Sequence, residues 1–454
     1  GDGSMYKDIG GQCMKKKWTI LSWAGLLLLF VMGSMQTAQA AKTGKAVPAE
    51  GSAAYWCSRT ADGEQPLLKT KDVVRLNAEI RSASSAVCAL QSFPQTLAGS
   101  KVTDYIAGSL PEPGTYYRNG ELLAEEDFDG IMDRTVVTPV AAEVKVRYAV
   151  TVKRADLRLL PMAEAWLKGA GPTEAHDDAL QATAVDPSEP VAVLADSDDG
   201  AYVFVQMRYD RGWLDKKSLA FTDRKTWLNY VEPKRFLVVT KNRYTVESTG
   251  GAQLYQLGSR MLLNGHHGRN WVVRVPQQRY NGMLLEGEAV LPMDAGSLHA
   301  GWLPYTRNSS LGAACTPRGD TYGWGGMEQS VDASSLLADV YRTVGIELPR
   351  TSSQQERVFT HKVDLTGLST GKKYQTLLTA NPGDVVFLPG HAMLYLGRDA
   401  MGEPRVLHAL DSCYQMQDGW LQQQTVRKAA VTDLFLLDAA GKTMLSMLSG
   451  IGAF

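Results

Sequence analysis

The 454-residue sequence lacks an excess of charge of either sign and lacks a long, uninterrupted apolar run. Its 47 basic and 48 acidic residues leave a formal net charge of −1, so nothing indicates nucleic-acid binding through a basic surface. The most apolar stretch, residues 20–32, is shorter than the roughly 20 residues of a membrane-spanning helix, and Ser and Gly interrupt it. The composition is that of a globular protein, and the length predicts about three domains.

Cysteine is also scarce, and its spacing excludes the common structural metal sites. The five cysteines stand at positions 13, 57, 88, 315 and 413, and none forms a Cys-x-x-Cys pair. No nucleotide-binding loop or haem motif appears either, so the sequence predicts no metal and no cofactor. Cys13 lies in the expected export signal, and the other four cysteines allow three pairings. Of these, Cys57–Cys88 with Cys315–Cys413 would keep each pair within one expected domain. Buried free thiols are the alternative, because a chain of this size does not need disulfides.

The first 40 residues have the features of an export signal. Lysines 15–17 follow Met14 and precede the apolar stretch, and Ala38-Gln39-Ala40 fits the small-x-small pattern of a cleavage site. We expect residues 1–40 to comprise upstream residues and a signal peptide, and residues 41–54 to form a flexible leader. The mature protein is then exported without a stable membrane span. A retained membrane anchor is the alternative.

The middle of the chain predicts a mixed domain followed by two β-rich units. Residues 55–145 combine a helical pattern, capped by Asp72, with turn signals. Residues 146–235, which end in a linker helix, and residues 236–305 are rich in short strands. Each unit contains a Gly-Trp-Leu element, with tryptophans at 213 and 302, and we interpret both rings as core residues rather than ligand contacts. The pair His266-His267 in a Gly/Asn turn is interpreted as an exposed loop rather than a metal site.

Residues 306–454 carry the strongest pattern, a helix that begins at a glycine-rich turn. Apolar residues recur with helical spacing from Ala333 to Val344, Asp332 is a natural N-cap, and Gly345 is a natural stop. A cysteine at position 333 would be a strong nucleophile, since a helix N-terminus stabilises a thiolate. The sequence has alanine there.

Two histidines follow on segments that predict adjacent antiparallel strands. In the strand around 391–397, alternation places His391, Met393 and Tyr395 on one face, and a turn near residue 400 brings His408 back on the next strand. An imidazole on a sheet facing a helix N-terminus is the arrangement that a thiol peptidase needs for proton transfer. A satisfied core histidine is the alternative interpretation of His391.

Four motifs resemble those of the NlpC-type cysteine peptidases, which cut bacterial cell-wall peptides. They are Tyr322-Gly-Trp-Gly-Gly, Asp332-Ala-Ser-Ser, Gly345-Ile-Glu-Leu-Pro-Arg-Thr-Ser352 and Gly390-His-Ala-Met-Leu-Tyr-Leu-Gly397. The resemblance implies an α+β multidomain protein with a papain-like peptidase domain at 306–454. Before it would stand an N-terminal stabilising domain at 55–145 and two bacterial SH3-like β-barrels at 146–235 and 236–305.

The same resemblance implies roles for individual residues. Position 333, normally Cys, would be the nucleophile, His391 the general base and His408 the residue that orients it. The substrate-binding residues would be Tyr322, Trp324, Asp332, Ser334 and Ser352. The implied partner is a peptidoglycan peptide, cut between γ-D-glutamyl and the diamino acid, in the periplasm or cell envelope.

Ala333 departs from the family pattern, and a methyl group cannot attack a carbonyl. We therefore expect the chain as written not to hydrolyse peptidoglycan. An engineered Cys→Ala change and a natural pseudoenzyme that still binds wall peptides are both open explanations. A non-catalytic wall-binding or regulatory module, and a toxin directed at competitors' walls, are the rival functions.

Overall fold

The computed structural model describes residues 52–136, 139–169 and 176–454. The expected signal peptide, most of the expected leader and Cys13 lie outside the described residues. Within them, the α-helices, numbered α1 to α10 in chain order, are Ala53–Ser58, Thr70–Ala83, Gly99–Ala107, Glu125–Val136, Arg224–Val231, Arg307–Cys315, Ala333–Thr343, Ser352–Val358, Thr370–Leu377 and Met444–Met447.

The β-strands fall into three larger sheets and three two-stranded pairs. In chain order, β1 to β24 are Thr96–Ala98, Tyr117–Arg118, Glu121–Leu122, Glu143–Lys145, Arg147–Thr151, Ala155–Arg158, Gln181–Val185, Pro190–Asp196, Tyr202–Gln206, Arg211–Asp215, Leu219–Thr222, Phe236–Val239, Arg243–Ser248, Gly251–Gln256, Arg260–His267, Asn270–Gln278, Leu284–Pro292, Leu298–Ala300, His361–Asp364, Val385–Leu388, His391–Arg398, Pro404–Gln417, Trp420–Thr432 and Gly450–Ala453.

The first large sheet has the order β11-β5-β8-β9-β10-β6-β7, and all its neighbours pair antiparallel. Strands β8 and β9 are joined by a tight turn in which Gly200 has a φ of +69°, which glycine adopts readily. Trp213 on β10 is fully buried, as expected for a core residue. The linker helix is α5, which is capped by Asp223 and buries Trp227 and Tyr230.

The second sheet has the order β17-β16-β15-β12-β18, and the second Gly-Trp-Leu element follows directly after β18. The interpretation of its tryptophan as a core residue is wrong. Trp302 lies after the end of β18 and is only partly buried. Gly301 before it has a φ of +77°, which turns the chain out of the strand, so the ring packs at the surface against Phe236 instead of entering the barrel. His266 and His267 are exposed at the end of β15.

The N-terminal segment divides its packing among three apolar clusters. Its first residues, Trp56, Val73, Leu76 and Ile80, pack in the cluster that also contains the apolar face of α7. Residues 90–106 and 144–146 pack with the first sheet, and Tyr116, Leu123 and Met132 pack in a separate cluster with Leu160, Trp166 and Leu180. Helix α2 begins at Thr70, so the interpretation of Asp72 as its cap is wrong. Asp72 lies in the first turn, where a carboxylate interacts favourably with the helix dipole.

The third sheet, β19-β24-β20-β21-β22-β23, forms the centre of the C-terminal region. Its two faces have separate cores, because side chains alternate along each strand. Ala392, Leu394 and Leu396 of β21 pack with α7, while Met393 and Tyr395 pack with the other cluster, as the alternation predicted. The mixed helix and strand architecture in several units confirms the predicted α+β multidomain class.

All four described cysteines are free thiols, so the predicted pairing of Cys57 with Cys88 and Cys315 with Cys413 is wrong in this structure. Cys57 on α1 lies against α6, where its Sγ is 3.7 Å from the carbonyl oxygen of Asn308. Cys413 is buried on β22 in the core beneath the third sheet. Cys88 packs with the first sheet and Cys315 with the α7 cluster, so the two thiols of each expected pair lie in different cores.

Candidate active site

Position 333 opens the central helix of the C-terminal region. Asp332 is the N-cap of α7, as predicted, and forms a capping box: its Oδ1 accepts the backbone N–H of Ser335 at 2.9 Å, and Ser335 Oγ accepts the Asp332 N–H at 2.9 Å. The helix ends before Gly345, whose φ is +80°. Ala333 is 8% exposed, so a side chain at this position lies in a largely desolvated place at the positive end of the helix dipole.

The two histidines form a hydrogen-bonded pair on neighbouring strands. His391 begins β21, and β22 pairs with it antiparallel with Leu394 opposite Leu407. His391 Nε2 lies 2.7 Å from His408 Nδ1, and His408 Nε2 lies 2.9 Å from the hydroxyl of Thr432 on β23. The three side chains make a chain of hydrogen bonds across three strands. The ring nitrogen of His391 that does not contact His408 is Nδ1.

Burial keeps both imidazoles neutral at ordinary pH. Desolvation lowers the pKa of His391 to about 4, although the negative charge of Asp332 acts in the opposite direction. Desolvation and the neighbouring His391 lower the pKa of the fully buried His408. Helix α7 packs against β21 and β22, and the charge of Asp332 at its start acts on the His391 imidazole. A neutral imidazole here is able to accept a proton.

The Asp332 carboxylate is held by a buried arginine that the sequence analysis did not single out. Arg350 Nη2 donates to Asp332 Oδ2 at 2.6 Å, and Arg350 Nη1 donates to Asp332 Oδ1 at 3.2 Å and to Ser334 Oγ at 2.8 Å. Burial raises the pKa of Asp332, but the charge and hydrogen bonds of Arg350 outweigh it and lower the pKa overall. Asp332 is therefore an ionised, charge-compensated group in this structure.

The glycine-rich loop lies next to the same carboxylate. Gly325 donates its N–H to Asp332 Oδ2 at 3.0 Å, and its φ of +56° lies in the left-handed region. Tyr322 is buried, which raises the pKa of its phenol. Trp324 Nε1 donates to the carbonyl oxygen of Asp178 at 3.0 Å. Ser352 begins α8 and is partly buried.

Side chains of the first sheet complete this loop, and sequence reasoning missed them. Gln181 Nε2 donates to the Gly325 carbonyl at 3.2 Å, and Arg154 Nη2 donates to the Gly326 carbonyl at 3.0 Å. Thr183 Oγ1 accepts from Arg350 Nε at 2.8 Å. These residues stand more than a hundred positions from the loop, so no local pattern could identify them. The strand alternation of β7 was the one available signal.

Among the residues that the structure describes, no cluster of three or more His, Cys, Asp or Glu side chains could hold a metal ion. No helix in the described ranges combines the length and the apolar character needed to cross a bilayer.

Comparison with known proteins agrees with this geometry. Residues 319–431 match the model of the NlpC/P60 family, and residues 172–215 match an SH3 domain of the SH3b1 type. A search of curated proteins found no match. The chain thus contains an NlpC/P60 peptidase domain preceded by a bacterial SH3 domain. Domains of these two kinds act on peptidoglycan, which implies an extracytoplasmic protein.

One solved structure shows the same fold over most of the chain, and a second is similar over a smaller part. An NlpC/P60 endopeptidase from Photobacterium damselae subsp. piscicida superposes with a TM-score of 0.69 at 15% identity, over 90% of this chain and 97% of that one. An NlpC/P60 family protein from Bacillus cereus covers 68% of this chain and 99% of its own length, with a TM-score of 0.46 and 16% identity. The first match shows that the multidomain fold extends well beyond residues 319–431.

Proposed function

We propose that a form of this chain with cysteine at position 333 hydrolyses peptidoglycan stem peptides between γ-D-glutamyl and the diamino acid. The observation that carries the proposal is the hydrogen-bonded chain His391–His408–Thr432, whose two histidines lie on the strands against which α7 packs. The choice of bond follows the family resemblance. The domain limits 55–145, 146–235, 236–305 and 306–454 belong to the same proposal, as do the export signal and a location in the periplasm or cell envelope.

The proposed reaction uses His391 as the proton carrier. Its Nδ1 takes the thiol proton, the thiolate attacks the scissile carbonyl, and the imidazolium returns the proton to the leaving amine. Water then attacks the acyl-enzyme with the same imidazole as base. His408 holds His391 through Nε2 and is itself held by Thr432, which fixes the ring orientation.

The proposed substrate contacts follow the family resemblance. Tyr322 and Trp324 would line the substrate cleft, Ser334 and Ser352 would contact the peptide, and Asp332 would bind a free substrate amine. Because Arg350 already compensates the Asp332 charge, the amine would share the carboxylate with Arg350 rather than meet an unpaired anion.

The test restores the nucleophile. We expect the parent chain to leave purified muropeptides intact, Ala333→Cys to cleave them, and Ala333→Cys with His391→Gln to lose cleavage. The parent retains its four other described thiols and so controls for adventitious thiol chemistry. If Ala333→Cys folds but stays inert on every wall peptide offered, the enzymatic proposal fails.

The second candidate is a non-catalytic module that binds wall peptides, and Ala333 is the observation that favours it. Sedimentation of the parent chain with purified peptidoglycan distinguishes the two functions when measured beside turnover by Ala333→Cys. Binding without restored turnover favours the module.

A further inference from the structure

A second groove lies at the opposite end of α7 from position 333. It has a volume of about 620 Å³, and helix α2, the Trp302 segment and the residues after α7 form its walls. Such a volume is typical of a small-molecule site. Because α7 has 11 residues at about 1.5 Å each, the groove is separated from the candidate active site by roughly the length of that helix.

The groove contains a guanidinium without an ionic partner. Arg260, the first residue of β15, stacks on Phe236 and Trp302, with its Cζ 5.8 and 5.4 Å from the ring centroids. None of the described carboxylates lies within ion-pair distance of Arg260, and none of its nitrogens is fully buried without a partner. Arg260 is one of the residues that line the groove, so its guanidinium is available to a ligand there.

The carboxylates that line the groove are fewer than its cations, and one of them, Glu347, is already paired with two arginines. Glu347 binds two arginines, with Arg81 Nη1 at 3.0 Å and Arg208 Nη1 at 2.9 Å. The charged residues that line the groove are four cations and two carboxylates: Lys69, Arg81, Arg208, Arg260, Glu232 and Glu347. Burial, with the nearby Arg208, lowers the pKa of Arg260 to about 10, although Glu189 and Glu347 act in the opposite direction.

The framework around Arg260 is rigid. Asn77 donates to the Gly345 carbonyl at 2.8 Å and accepts the Glu347 N–H at 3.0 Å, which fixes α2 to the end of α7. The Trp302 ring packs so closely on Gly345 that a Cβ there would lie 3.0 Å from it. Arg260 lies against the edge-to-face pair of Phe236 and Trp302, whose centroids are 4.6 Å apart. A guanidinium supported by aromatic rings in this way is a planar fork that a carboxylate matches bidentately.

We propose that this groove binds the terminal carboxylate of a peptide, with Arg260 as the anchoring residue and the apolar wall receiving the neighbouring side chains. The proposal is independent of catalysis at position 333. The peptide could come from the cell wall, with D-alanyl ends, or from a protein, with L-residues.

The test uses N-acetyl-D-Ala-D-Ala, its C-terminal amide and N-acetyl-L-Ala-L-Ala, titrated at low salt into the parent chain. We follow the Trp302 indole N–H by NMR. We expect the acid to bind at least about tenfold more tightly than the amide, because a charge-assisted hydrogen bond is lost with the amide. Tighter binding of the D-acid indicates a cell-wall peptide, and tighter binding of the L-acid indicates a protein C-terminus. Equal affinity means that the groove binds peptide carboxyl termini of either kind.

Three variants locate the binding. Arg260→Gln should weaken binding of the acid at least about tenfold, Arg260→Lys less, and Arg269→Gln, at an exposed turn, not at all. Thermal unfolding of each variant shows whether the fold is intact. The proposal is overturned if neither acid binds, if acid and amide bind alike, or if a folded Arg260→Gln binds as the parent does.

Discussion

Replacement of Arg350 by leucine tests whether the buried ion pair with Asp332 holds the start of α7 in place. The Arg350 and Asp332 side chains are 8% and 14% exposed. Arg350→Leu removes hydrogen bonds to Asp332, Ser334 and Thr183 and leaves the carboxylate with three uncharged donors, the N–H groups of Gly325 and Ser335 and the hydroxyl of Ser334. Breaking a buried pair in this way costs about 3–5 kcal/mol, because an uncompensated charge remains inside.

Neutralising the carboxylate should recover part of that loss. Asparagine is as good an N-cap as aspartate, so Asp332→Asn with Arg350→Leu keeps the cap and removes the stranded charge. We expect the double variant to lose about 1–3 kcal/mol less than the sum of the single variants. The matched control is Arg147→Leu. Its pair with Asp196 is 44% and 40% exposed, so it should cost no more than about 1 kcal/mol.

The assay is urea unfolding, with amide hydrogen exchange of α7 measured in parallel, because a chain with several cores can unfold in more than one step. A loss below about 1 kcal/mol for Arg350→Leu would refute the reasoning, as would strict additivity in the cycle. Either result would mean that water or a rearranged side chain compensates Asp332.

Two further predictions concern the loop and the histidines. Gly326→Ala should destabilise the contact between the glycine-rich loop and β7 by about 1–3 kcal/mol, since a Cβ there would lie 2.7 Å from that of Ala184; limited proteolysis of the loop measures it. Gly402→Ala, at a similar φ of +83° with open space around it, is the control and pays only the backbone term. For His391, the pKa of about 4 in the folded chain lies below the ordinary 6.5, so between these pH values only the unfolded chain binds the proton. Stability should therefore fall as the pH is lowered through that window. Between pH 6.5 and 4, the free energy of unfolding of His391→Gln should fall by up to about 3 kcal/mol less than that of the parent chain. Urea titration at each pH measures both, and an equal fall in the two proteins would contradict the burial of His391.

The local elements of the C-terminal region could be predicted because their signals are local. Asp332, the helical spacing behind it and Gly345 together define where α7 begins and ends, and alternation along β21 sorts its side chains between two cores. The adjacency of the strands that carry His391 and His408 follows from the short turn between them. The same kind of evidence failed at Asp72, where the helix begins two residues earlier without a side-chain cap, and at Trp302, which packs against Phe236 after the end of its strand.

The sequence by itself determined the position of the nucleophile's helix, the two histidines and the substitution at Ala333, since each depends on residues near one another in the chain. Only the tertiary structure decided what surrounds them. Arg350 compensates Asp332, β7 of the first sheet supports the glycine-rich loop, and Arg260 faces an open groove. These are contacts between segments far apart in sequence, and their partners are set by the packing of whole sheets, which no local pattern encodes.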